Sequence, residues 1–195
     1  MGRQRSSRPR RVGNERSWGP IIIGAAVVAV IAAFIVVVAL DFRSGAASGP
    51  PSGVQDIDVG EAGQHTEGEV DYEQSPPAGG EHNDVWQNAG FYSEPIRNET
   101  AVHTLEHGAV WITYRPDLPQ EQVDELRDLA NSRECVLVSP YPGLDAPVVA
   151  SAWGKQLELE GADDPALNRF IGTYLRGEQT PEPGAACTGG VGEPA

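Results

Sequence analysis

The chain has 195 residues, room for one domain of ordinary size plus extensions. Its formal charge is −14, and the charge is unevenly placed: residues 41–195 hold 8 of the 14 Lys and Arg and 27 of the 28 Asp and Glu, a formal charge of −19. A surface of that sign repels nucleic acid and other polyanions, which excludes a nucleic-acid-binding domain, and plain solubility accounts for most of these acids.

Residues 1–19 form a basic tail carrying Arg3, Arg5, Arg8, Arg10, Arg11 and Arg16 against a single acid, Glu15. Ile21 to Leu40 then runs for 20 residues without a polar side chain. At ~1.5 Å per residue a helix of that length spans ~30 Å, the thickness of a bilayer's hydrocarbon core. The spacing predicts a transmembrane helix over residues 20–40. A cleaved signal has an apolar region of only ~7–15 residues, and Ala46 and Ala47, the nearest imitation of a cleavage site, lie well past the apolar end. With no Cys beside the run, a lipoprotein anchor is not indicated. The arginines before the run place the N-terminus in the cytoplasm and the C-terminus outside the cell, in a single-pass protein of the cell membrane. Residues 41–69 begin DFRSGAASGPPSG and continue acidic and Gly-rich. They are expected to be a disordered stalk, since such a composition buries too little apolar surface to fold alone.

Pro76-Pro77 and Gly79-Gly80 force turns, and dense apolar pattern starts near Val85-Trp86 and Phe91-Tyr92. AVWITY, residues 109–114, is rich in β-branched and aromatic residues and reads as a buried strand ended by Arg115-Pro116. Residues 119–131 read as an amphipathic helix, with Pro119 in its first turn and Val123, Leu126, Leu129 and Ala130 at helical spacing. Residues 135–139 read as a second strand, and 147–152 and 156–159 as two more that turn near Gly154. Asp163 or Asp164 caps a last helix whose apolar face is Leu167, Phe170, Ile171, Tyr174 and Leu175, ended by Gly177. The expected fold is α+β over residues 70–177: a small mixed sheet packed with two helices, followed by a tail at 178–195. The order resembles the C-terminal half of a thioredoxin-like fold, by analogy only, because there is no Cys-x-x-Cys. The two cysteines, Cys135 and Cys187, are expected to form a disulfide outside the cytoplasm.

The four histidines, His65, His82, His103 and His107, all fall N-terminal to the first strand of the folded part. His103 and His107 share a face in either a helix or a strand, because four is close to one helical turn and a multiple of two. Neutral imidazoles on a common face are standard ligands for zinc or copper. Glu106 joins that face only in a helix. Gly108 and the strand after it argue for a strand or turn, which leaves Glu106 off the metal face as a group that orients a ligand. His82 follows a turn-rich loop and is the expected third ligand; His65 is expected to be exposed in a mobile segment. The spacing His-x-x-Glu-His also matches the inverted zinc-peptidase motif, which needs a well-formed helix. The plain alternative is that the histidines are hydrogen-bonded structural groups of an interaction domain. No phosphate loop, dinucleotide fingerprint or catalytic Ser or Cys arrangement is visible, so no protein partner or substrate follows.

The stretches PPAGGEHNDVWQNAGFY and AVHTLEHGAVWITYRP resemble the domain-of-unknown-function 3105 family over about residues 70–177. The resemblance implies a bacterial, membrane-anchored protein and marks His82, His103, Glu106, His107 and Gly108 as motif positions. Pro-Pro-Ala-Gly-Gly-Glu-His departs somewhat from the family's usual Thr-Ser-Gly run. No activity follows from the resemblance.

Overall fold

The computed structural model describes residues 49–195. The basic tail, the helix expected over residues 20–40 and the first residues of the stalk lie outside the described residues. Among the described residues no helix is long and apolar enough to cross a membrane.

The elements run β1 (Gln55–Asp56), β2 (Gly90–Phe91), α1 (Asn98–Glu106), β3 (Val110–Tyr114), α2 (Gln120–Ser132), β4 (Val136–Pro140), β5 (Val148–Ala152), β6 (Lys155–Leu159) and α3 (Pro165–Tyr174). The fold is α+β, with one mixed six-stranded sheet in the order β1-β6-β5-β3-β4-β2. Strands β3 and β4 pair in parallel across the α2 crossover, as do β2 and β4, and the remaining pairs are antiparallel. Among the described residues three helices are present where two were expected in the domain. The addition is α1, and it corrects the reading of His103–Gly108 as strand or turn. Gly108, at φ +94°, takes the left-handed conformation just past the helix end, so it stops α1 instead of opening a strand. A Cβ there would meet Thr180 Cγ2 at 2.9 Å.

Period-two alternation sends successive strand residues to opposite faces. Val110, Ile112, Val136, Val138, Val148, Ala150, Leu157 and Leu159 face α2 and α3, which contribute Val123, Leu126, Leu167, Phe170 and Ile171. Trp111 and Leu137 lie on the other face, packed with Ala101, Val102 and Leu105 of α1 and with Trp153. That second face also buries Thr113, Ser139, Ser151 and Gln156. Each of the hydroxyls and amides here needs a partner. Trp111 Nε1 donates to Ser139 Oγ at 3.0 Å, and Gln156 donates to Ser151 Oγ and to the Pro76 carbonyl.

Residues 54–69, read from sequence as stalk, lie against the domain. Strand β1 pairs with β6. The Val70 N–H donates to Glu99 at 2.9 Å, and Arg97 donates to the carbonyls of Glu67 and Gly68. These bonds tie backbone to side chains of the α1 region, an anchoring that composition does not register. The tail is held in the same way. Cys187 is joined to Cys135, with their Cα atoms 5.3 Å apart and a sequence separation of 52. A loop of that length gives about 4 kcal/mol in the chain-entropy account. Beyond the bridge, Val191 N–H donates to the Trp86 carbonyl and Ala195 N–H to the Phe91 carbonyl.

Candidate metal centre

Helix α1 is buried on nearly every side, from Glu99 to Glu106. A helix so enclosed has no solvent face for its polar residues, and they must be satisfied inside. The loop before it supplies the partners. His82 N–H donates to the Gln64 carbonyl at 2.9 Å and Thr66 N–H to the His82 carbonyl at 2.7 Å, which sets His65 alongside His82. Gly79, at φ +145°, lets the loop pass: a Cβ there would sit 2.9 Å from the Val59 side chain.

Each of the three buried histidines is held by a carbonyl. His82 Nδ1 meets the Gly80 oxygen at 2.7 Å, His103 Nδ1 the Asn83 oxygen at 2.7 Å, and His107 Nδ1 the Ala186 oxygen at 2.6 Å. A carbonyl only accepts, so each Nδ1 carries a proton, and in the neutral form of such a ring Nε2 is the lone-pair atom. This is the arrangement by which outer groups orient metal-binding imidazoles. Burial, followed by the neighbouring His107 and His82, holds His103 below the ordinary histidine value despite the opposing pull of the Asn83 carbonyl. His103 is thus kept neutral, the form a metal requires.

One of these Nε2 atoms, that of His82, faces Glu106. His82 Nε2 lies 2.9 Å from Glu106 Oε2, with both side chains essentially inaccessible to solvent. Among the described residues neither atom has a hydrogen-bond partner. The other carboxylate oxygen, Oε1, accepts the Gly63 N–H at 2.6 Å. Two acceptors facing each other at hydrogen-bond distance repel unless a positive centre lies between them. His65, His82, His103 and Glu106 each offer a ligand atom within 4.8 Å of the others. The ring of His65 stacks on that of His103 at 5.2 Å and meets His82 edge-on at 4.8 Å.

The structure therefore regroups the residues read from sequence. It brings His82 and His103 together and places His107 in a second group with His103 and Glu182. Glu106, expected off the face in a strand, enters the first group directly because α1 is a helix. His65, expected in a mobile segment, is laid beside His82 by backbone pairing, although its side chain is still 43 % exposed. Sequence reasoning missed Glu182, whose Oε2 lies 3.5 Å from His107 Nε2. It is one of three acids in a Pro- and Gly-rich tail, and no local signal marks it. Trp86 packs against the rings of His103 and His107; Trp111 is core, and Trp153 lies edge-on to His82. Both cysteines are in the disulfide, so neither offers a thiolate. The helix that the inverted peptidase motif requires is present; His103 and His107 share one group with Glu182, and Glu106 lies in the other group with His103.

A family model described as a protein of unknown function, DUF3105, matches residues 64–189. The chain belongs to this family. The matched stretch holds all four histidines, Glu106, Glu182 and both cysteines. Membership assigns no activity to the domain. No curated protein and no solved structure matches the chain.

Proposed function

We propose that this DUF3105 protein is a membrane-anchored, extracytoplasmic domain that binds one divalent transition metal ion through His65, His82, His103 and Glu106. The observation that carries the reading is the unpartnered pair His82 Nε2 and Glu106 Oε2, buried and 2.9 Å apart. A proton between them would also relieve the repulsion, as an imidazolium–carboxylate pair. A proton needs only two acceptors, however, and here ligand atoms of two further histidines lie within 4.8 Å of both. Three imidazoles and one carboxylate without sulfur suit zinc or copper(II), and copper(I) less well. The membrane part of the reading rests on the apolar run Ile21 to Leu40 and the arginines before it. The donor set supports binding directly, and binding is the function proposed.

The test is zinc and copper(II) titration calorimetry on the full chain in detergent, beside His82→Ala. One equivalent should bind, with affinity reduced at least about tenfold in the variant. Equal binding by both proteins, or none by either at micromolar metal, would leave the histidines as structural groups. Reporter fusions would test the anchor: a C-terminal reporter active only in the cytoplasm would overturn the topology.

A further inference from the structure

We infer that the centre contains a second, overlapping metal position formed by His103, His107 and Glu182, so that His103 belongs to both positions. The inference rests on the metal-binding reading and adds a location for the ion that the interior donors do not provide.

His103, His107 and Glu182 each offer a ligand atom within 4.8 Å of the others. The Ala186 carbonyl holds the Nδ1 of His107, which leaves Nε2 as its lone-pair atom, 3.5 Å from Glu182 Oε2. His107 is buried while Glu182 is 52 % exposed, so the position joins the interior to solvent. His103 is the middle ring: its centroid lies 4.9 Å from that of His82 on one side and 4.6 Å from that of His107 on the other. Trp86 covers His103 and His107 from outside the group.

With its Nδ1 donating to Asn83, His103 has one lone pair to give. It cannot serve two ions at once, so the positions are alternatives and the chain holds one ion. The outer position has two imidazoles and one carboxylate, one donor fewer than the inner one, and binds more weakly. An ion that arrives by way of the exposed Glu182 binds His103 and His107 with it. It can then remain bound to His103 while it exchanges His107 and Glu182 for His82 and Glu106.

The test is zinc titration of the full chain in detergent, with Glu182→Gln introduced into the wild type and into a His82→Ala/Glu106→Gln background. Near-ultraviolet circular dichroism checks that each protein is folded. The wild type should bind one equivalent, and the background one equivalent more weakly. Glu182→Gln should lower affinity at least about tenfold more in the background than in the wild type, because only there does the ion depend on the outer position. Equal effects of Glu182→Gln in both settings, two equivalents in the wild type, or no binding by the folded background would overturn the inference. Failure of the wild type itself to bind zinc would overturn the underlying reading as well.

Discussion

The two faces of the sheet are packed from different materials. Against α2 and α3 lies a continuous apolar core that joins Val110, Ile112, Val138 and Ala150 to Leu126, Phe170 and Ile171. Against α1 the apolar cluster is smaller, and buried hydroxyls, amides, imidazoles and carboxylates fill the remaining space. The first face gains stability from the removal of apolar surface from water. The second carries desolvated polar groups whose satisfaction depends on exact partners, and one pair there, His82 Nε2 and Glu106 Oε2, lies 2.9 Å apart in the interior. The larger apolar core and most of the buried polar side chains thus lie on opposite sides of one sheet.

The largest effect should come from the apolar face. Phe170 is fully buried, and Phe170→Ala should destabilise the protein by about 3–5 kcal/mol in denaturant unfolding. The zinc affinity of the protein that remains folded should be preserved. A parallel drop in affinity would show that the faces are not separable.

A smaller effect of opposite sign is expected on the site face. In Glu106→Gln the side-chain oxygen can keep the Gly63 N–H, while the new amide donates to His82 Nε2. The metal-free variant should therefore be more stable than the metal-free wild type, by about 1 kcal/mol. Its zinc affinity should fall. Thermal unfolding with and without a chelator reads both quantities. Loss of stability in the metal-free variant would favour a buried imidazolium–carboxylate pair and count against the metal.

The smallest effect concerns Glu99, which ties the segment before the site to α1. Burial pushes its carboxyl up, but the Val70 N–H, its own N–H and Arg97 together outweigh burial and hold it below the ordinary value. Because the folded value is the lower one, this stabilisation is complete above the ordinary carboxylate range and is lost as pH falls through the folded value. Glu99→Gln should flatten the acid limb of stability against pH. Superimposable acid limbs in the two proteins would remove Glu99 from the account.

Much of the fold was legible where one period dominated. Residues 109–114 and 147–152 closely bracket β3 and β5, and the apolar residues named for the last helix contribute Leu167, Phe170, Ile171 and Tyr174 to the core. Helix α1 was not legible for a physical reason. A helix buried all round shows no apolar stripe, and ETAVHTLE mixes polar and apolar residues without one. Its end at Gly108, followed at once by β3, made the strand pattern seem to reach further back than it does. Of the site, the shared face of His103 and His107 was visible in the spacing, and His82 in its turn-rich loop. The inclusion of His65 was not, because it depends on backbone pairing between two irregular segments.

By itself the sequence determined which residues leave water, because alternation in strands and helical spacing in α2 and α3 follow directly from side-chain type. It also determined that few imidazoles exist and that two of them are presented together. Only the tertiary structure decided which nitrogen of each ring is free, since that is set by the carbonyls of Gly80, Asn83 and Ala186, from loops with no periodicity. It likewise decided that Glu106 faces His82 and that Glu182 reaches His107 across 75 residues of chain. A ligand atom must be placed to within a fraction of an ångström, and in this chain irregular backbone supplies that placement.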